Sequence, residues 1–183
     1  AAAGSAAAPP QTTVGSRCYF MVNAHVGHNC AVADEVTLVN GAALGGHVSV
    51  GTGAIIGAYS AIHQYVRVGR LAMISNGADM NADMPPFFIS MVTNTVTQLN
   101  TIGLRRSGMS REAISALRHA FQLAFRQSSR SLGEALENLP AHLLEFAEVR
   151  ELAAFVNASK RGVSRYQSCS ARSTMPEQSP DHE

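Results

Sequence analysis

The chain reads as a parallel β-helix of hexapeptide repeats followed by a C-terminal helical domain, on three observations. The first is a frame that does not slip. Stepping by six from Val14 meets Phe20, Val26, Val32, Leu38, Leu44, Val50, Ile56, Ile62, Val68, Ile74 and Met80, all apolar. In a chain that is 46% apolar, twelve hits in one frame have a chance probability of about 10⁻⁴. The second is a register four residues later: Cys18, Ala24, Cys30, Val36, Ala42, Val48, Ala54, Ser60, Val66, Ala72, Ala78 and Met84, small or β-branched until the last. The third is glycine at half of the positions that follow the large inward residue: Gly15, Gly27, Gly45, Gly51, Gly57 and Gly69. One large and one small inward side chain per hexad is a β-helix signature. An α-helix has neither that period nor room for so many glycines, each costing about 1 kcal/mol against alanine. Glycine here is expected to supply positive φ at the corners between short strands. Three hexads make one triangular coil, so residues eighteen apart should stack about 4.8 Å apart.

In chain order, residues 1–13 form a low-complexity linker (AAAGSAAAPPQ and two threonines), with no hydrophobic pattern to order it. The coil occupies 14–84. An extended connection, 85–104, opens on Pro85-Pro86, which oppose helix. A helical domain, 105–163, follows. Ser110 caps a helix whose Ala113, Ile114, Leu117, Ala120, Phe121 and Ala124 form one apolar stripe. Ser131 and Glu134 form a capping box before Ala135-Leu136. A third helix runs from Pro140 through Leu143, Leu144, Phe146, Val149, Leu152, Ala153 and Val156, with Gly162 as its stop. The Ser-, Pro- and charge-rich remainder, 164–183, is expected to be a disordered tail.

A net charge of +1 in 183 residues gives no general electrostatic case for nucleic acid. No apolar run has transmembrane length, and no stretch reads as a secretory h-region. Two of the three cysteines occupy the small inward register, which suggests a reducing compartment; Cys169 lies in the tail. Basic residues concentrate after the coil. Arg105, Arg106, Arg111, Arg118, Arg126 and Arg130 are accompanied over that stretch by one acid, Glu112. That excess suits a phosphate-bearing ligand or an acidic protein partner. Arg118, Arg126 and Arg130 read equally as a solvated helix face, whereas Arg105-Arg106, at the junction of coil and helices, favour a ligand.

Four histidines, His25, His28, His47 and His63, fall in the coil, and none occupies an inward register. Stacking by eighteen puts His28, Gly46 and Gln64 in one outward column, and that column has the parts for acyl transfer. A neutral imidazole can take a hydroxyl proton. A glycine lets a carbonyl approach its N–H, which stabilises an oxyanion, and Gln64 can position substrate. His25, His47 and His63 either line the same groove or sit at a subunit interface.

The stretches NAHVGHNC (23–30), LGGHVSVGTGAIIG (44–57), AIHQYVRVG (61–69), DMPPFFI (83–89) and GLRRSGMSREAISALRHAF (103–121) resemble the acyl-ACP:UDP-N-acetylglucosamine O-acyltransferase family, which catalyses the first step of lipid A biosynthesis. The resemblance covers roughly 14–163. It implies a left-handed coil, a homotrimer with sites between subunits, and acyl carrier protein and UDP-N-acetylglucosamine as partners. It implies no cofactor and no metal, and a cytoplasmic location, or an organelle such as the mitochondrion in a eukaryotic host. By resemblance His28 is the general base for the glucosamine 3-hydroxyl and Gly46 the oxyanion donor. His25, His47, His63 and Gln64 match groove positions. Asn100 and Arg106 match nucleotide-sugar contacts, with Arg105 beside them, and Asn76 matches a residue that sets acyl length. Where the family commonly has an Asp beside the base, this sequence has Asn29; Ile102 stands for a usual Glu and Ser107 for a second Arg. Family members carry several more coils before the point matching Val14, so an N-terminally truncated form with an uncapped first coil is expected.

The leading expectation is therefore transfer of a 3-hydroxyacyl group to UDP-N-acetylglucosamine. An alternative is a catalytically weak truncated paralogue acting as a trimeric binding or assembly scaffold. A third reading, a zinc-dependent hydrase of the carbonic-anhydrase type, lacks its usual ligand spacing.

Overall fold

The computed structural model describes residues 11–168 and shows a left-handed parallel β-helix with helices after it. Each hexad contributes a two-residue strand with one residue pointing in. One face stacks Thr13–Val14, Ala31–Val32, Ser49–Val50 and Arg67–Val68 in order. A second stacks Tyr19–Phe20, Thr37–Leu38, Ile55–Ile56 and Met73–Ile74. The third stacks His25–Val26, Ala43–Leu44 and Ala61–Ile62, which a bridge from Ile62 to Met80 extends. All three faces hold the eighteen-residue register.

Leu38, Leu44, Ile56 and Ile74 are wholly buried, whereas in the first coil Val14 is 49% and Phe20 39% exposed. The small inward residues that carry a polar atom share one solution. Cys18 Sγ donates to the Ala33 carbonyl, Cys30 Sγ to Gly45 and Ser60 Oγ to Ser75, each fifteen residues on. Burial raises the Cys30 thiol pKa, which keeps it a protonated donor.

The glycine expectation needs correction. Positive φ recurs every six residues, at Arg17, Asn23, Asn29, Glu35, Gly41, His47, Gly53, Tyr59, Tyr65, Leu71 and Gly77, with values of 54° to 68°. Most of these are not glycine. From Glu35 onward the left-handed conformation turns the N–H along the coil axis onto the carbonyl one coil below, as in His47 N–H to His28 O at 2.9 Å and Tyr65 N–H to Gly46 O at 3.0 Å. That bond offsets the steric cost of about 1–2 kcal/mol. The glycines after the large inward residues serve close stacking instead. A Cβ at Gly51 would lie 2.5 Å from the Arg70 nitrogen, and one at Gly57 2.5 Å from the Ser75 carbonyl carbon.

Three expected boundaries also move. Thr13 belongs to the first strand, not to a linker. The segment 85–104 is not simply extended. Phe88–Ser90 pairs parallel with the coil strand Met73–Ile74, and Gln98–Leu99 returns antiparallel to it. The turn is made by Phe87, at φ 78° with its N–H on the Arg70 carbonyl. The start of the tail is ordered, because Arg165–Tyr166 pairs with Thr95–Val96. The linker expected over 1–10 and the tail expected over 169–183, with Cys169, lie outside the described residues.

Helix α1 (Thr101–Arg106) is capped by Asn100, and α2 (Arg111–Phe121) by Ser110. A π-helical turn, Gln122–Gln127, continues α2. The Ser131/Glu134 capping box opens α3 (Leu132–Glu137). The expected third helix is two, α4 (Ala141–Leu144) and α5 (Ala147–Asn157). They break where Arg150 Nη1 caps the carbonyls of Leu144 and Glu145, each at 2.7 Å. Gly162, at φ 82°, lies beyond the end of α5. Phe88 joins coil to helices through Phe121 and Phe125, both at 5.1 Å between ring centroids. Asp83, 1% exposed, locks the junction. It accepts from Arg67 N and Nε at 2.8 Å and from Ser159 Oγ at 2.9 Å, while Arg67 Nη2 reaches the Phe155 carbonyl at 2.8 Å.

Candidate active site

Two adjacent columns build the site. The corner column is His28, Gly46 and Gln64; beside it run the positive-φ residues Asn29, His47 and Tyr65. The left-handed turn at Asn29 folds its side chain back onto its neighbour, and Asn29 Oδ1 lies 2.9 Å from His28 Nδ1. A carbonyl oxygen only accepts, so Nδ1 carries the proton, and among the described residues the Nε2 lone pair meets no donor. That nitrogen faces Gly46, since a Cβ placed there would lie 2.6 Å from it. Any side chain at position 46 would displace the imidazole.

His47 meets His28 edge to face at 5.1 Å and 87°, and stacks on Tyr65 at 4.5 Å and 13°. Its Nδ1 is buried with no hydrogen-bond partner among the described residues. Tyr65 was not singled out in the sequence; its signal is its place eighteen residues after His47.

Corner amides point out of the coil without a backbone acceptor, and side chains one coil on can take them. Asp34 Oδ1 accepts from Ser16 N–H at 2.7 Å, and Asn76 Oδ1 from Ala58 N–H at 2.8 Å. Among the described residues the Gly46 N–H makes no such bond. One coil on stands Gln64, a methylene longer than the residues that cap.

The other expected site residues are dispersed. His63 Nδ1 lies 3.3 Å from both the Gln64 carbonyl and Arg161 Nη2, so the segment after α5 reaches the groove side of the coil. His25 is exposed on the third face. Asn76 stands on another corner column, with Asn40 and Ala58, and its amide oxygen is engaged rather than unpaired. Asn100 is 6% exposed with both ends of its amide in use: Nδ2 donates to the Leu71 carbonyl at 2.9 Å and Oδ1 accepts from Gly103 N–H at 3.0 Å. Those bonds hold α1 against the coil. Arg105 lines a groove of about 660 Å³ with Met109, Arg111, Ile114 and Arg118, and Arg106 is exposed in the last turn of α1. Among the described residues no three His, Cys, Asp or Glu side chains converge at metal-ligand spacing, and no helix is long and apolar enough to cross a membrane.

The family model for the second domain of UDP-N-acetylglucosamine O-acyltransferases matches residues 83–164. The acyl-[acyl-carrier-protein]–UDP-N-acetylglucosamine O-acyltransferase of Anaeromyxobacter dehalogenans is 36% identical over 163 residues, covering 88% of this chain and 63% of that one. Its counterpart in Alkalilimnicola ehrlichii is 38% identical over 157 residues, covering 84% and 60%. The crystal structure of UDP-N-acetylglucosamine O-acyltransferase from Moraxella catarrhalis superposes with a TM-score of 0.78 at 33% identity, over 84% of this chain and 60% of that one. The chain thus spans about three fifths of the length of the relatives it matches. In sequence and in its coil-and-helix architecture the chain is similar to UDP-N-acetylglucosamine O-acyltransferases, and its residues 83–164 match the second domain of that family.

Proposed function

We propose that this chain moves a 3-hydroxyacyl group from acyl carrier protein to the 3-hydroxyl of UDP-N-acetylglucosamine, in lipid A biosynthesis. The observation that carries the reading is the His28 imidazole, held through Nδ1 by Asn29 with Nε2 over Gly46. Nε2 takes the proton of the sugar hydroxyl as its oxygen attacks the thioester carbonyl. A C–O bond forms, and the oxyanion of the tetrahedral intermediate receives the open Gly46 N–H. The intermediate collapses, the C–S bond breaks, and the departing thiolate takes the proton from the His28 imidazolium.

Within this reading His25, His47, His63 and Gln64 line the groove. Asn76 limits the acyl chain, and Asn100, Arg105 and Arg106 serve the nucleotide end, Asn100 by fixing α1. The basic groove of Arg105, Arg111 and Arg118 suits an acidic carrier. Outward histidines support a groove completed by a neighbouring subunit of a homotrimer, and the reaction belongs in the cytoplasm.

The test is an assay of purified protein with 3-hydroxyacyl carrier protein and UDP-N-acetylglucosamine, followed by release of carrier thiol. Turnover that disappears in His28→Ala supports the reading. A folded trimer without turnover overturns it in favour of a scaffold.

A further inference from the structure

A cleft of about 510 Å³ opens between the π-helical turn, α3 and residues 159–166, apart from the histidine columns. That is within the usual range for small-molecule sites, roughly 300–1,000 Å³. Phe125, Leu132 and Tyr166 supply an apolar wall, and Arg130 and Arg165 line the same cleft. Among the described residues no carboxylate lines it, and neither guanidinium is engaged in an ion pair. The nearby Glu134 is occupied at the start of α3, with Ser131 Oγ donating to it at 2.8 Å.

Two further features converge there. Ser164 also lines the cleft; it is 1% exposed, and its Oγ has no hydrogen-bond partner among the described residues. A buried hydroxyl left so is destabilising, and an acceptor brought by a ligand relieves it. The wall carrying Phe125 is π-helical, a conformation that is rare and concentrates at functional sites.

We propose that this cleft binds a small amphipathic anion, a carboxylate or phosphate head on an apolar body. The head lies between Arg130 and Arg165, and the body lies against Phe125, Leu132 and Tyr166. Occupancy also grips the strand Arg165–Tyr166, which pairs with Thr95–Val96, and the neighbouring Ser164, whose N–H holds the Asp83 carbonyl at 2.9 Å. A bound anion therefore tightens the junction of coil and helices.

The test is calorimetric titration of the full chain with octanoate, octyl phosphate, octanol and inorganic phosphate. Octanoate or octyl phosphate is expected to bind at least tenfold more tightly than octanol or inorganic phosphate, and the better of the two identifies the head group. Binding should weaken at least tenfold in Arg130→Gln/Arg165→Gln, weaken less in Ser164→Ala, and stay within threefold in Arg130→Lys/Arg165→Lys. Thermal unfolding of each variant without ligand checks that the fold is retained, and the bound anion should raise the wild-type midpoint. Equal affinity for octanol, no binding of either anion, or affinity that survives Arg130→Gln/Arg165→Gln, as when the acyl body enters the histidine groove instead, overturns the proposal.

Discussion

Two corners of the coil share a backbone and differ in what stands above them. At Ala58 the outward N–H is taken by Asn76 Oδ1 at 2.8 Å; at Gly46 the residue one coil on is Gln64, and among the described residues the N–H meets no acceptor. The first corner is closed on itself and contributes stability. The second keeps a donor directed at solvent, beside an imidazole whose other nitrogen is fixed. Position eighteen residues on thus decides whether a corner amide is structural or available for chemistry. At these two corners the residues one coil on, Asn76 and Gln64, differ by one methylene of side-chain length.

The comparison breaks most sharply at His28. His28→Ala should lower turnover by about 10²–10⁴-fold, the usual worth of a general base. The exposed ring contributes little to the coil interior, so the fold should persist by circular dichroism. Retention of more than about a hundredth of the wild-type rate sinks the base assignment.

Gln64→Asn makes the open corner resemble the closed one. A shorter amide placed as Asn76 is should accept from the Gly46 N–H and withdraw it from an oxyanion. Turnover should fall by about 10²-fold, the lower end for loss of one oxyanion donor, with little change in thermal midpoint. Unchanged turnover would mean that the Gly46 N–H is not used.

How much of this was legible follows the same division. Period-six patterning exposes the coil because each inward position must be apolar, and stacking by eighteen then places His28, Gly46 and Gln64 together without a structure. The Asp34 and Asn76 caps were not seen, although Asp or Asn eighteen residues after an outward position is a readable signal. Positive φ went to the wrong residues, because the hydrogen bond that stabilises Glu35, His47 or Leu71 in that conformation is made to another coil. Pro85-Pro86 announced the end of the repeat but not that Phe88–Ser90 rejoins the sheet, a pairing that depends on the Phe87 turn. Asn100 also carries the signature of an N-cap before Thr101–Arg106, a role that the resemblance to a nucleotide contact does not bring out.

A smaller effect is expected beside the base. Asn29→Asp replaces a neutral acceptor with a charged one 2.9 Å from Nδ1. A carboxylate favours imidazolium, so the apparent pKa of the group that must be deprotonated should rise in the pH–rate profile. At pH above that pKa the rate should increase severalfold, because the developing imidazolium is stabilised; below it the gain is lost as the resting base becomes protonated. A profile that superposes on the parent would show that position 29 does not act on the base.

The smallest effect is expected at the closed corner, and it has two separable readouts. Asn76→Gly removes the acceptor from the Ala58 N–H, leaving an amide that water can reach. The loss is that of one partly solvated hydrogen bond, about 0.5–1.5 kcal/mol, with added flexibility from a second glycine before Gly77. Chemical denaturation should show the drop without a change in slope. If Asn76 also limits the acyl chain across a subunit boundary, the substitution shifts selectivity toward longer donors, measured by competition between short and long acyl carrier proteins. A stability loss with an unchanged selectivity ratio would leave Asn76 as a corner cap alone. A selectivity shift without the stability loss would mean that the bond to Ala58 N–H is not what holds its side chain.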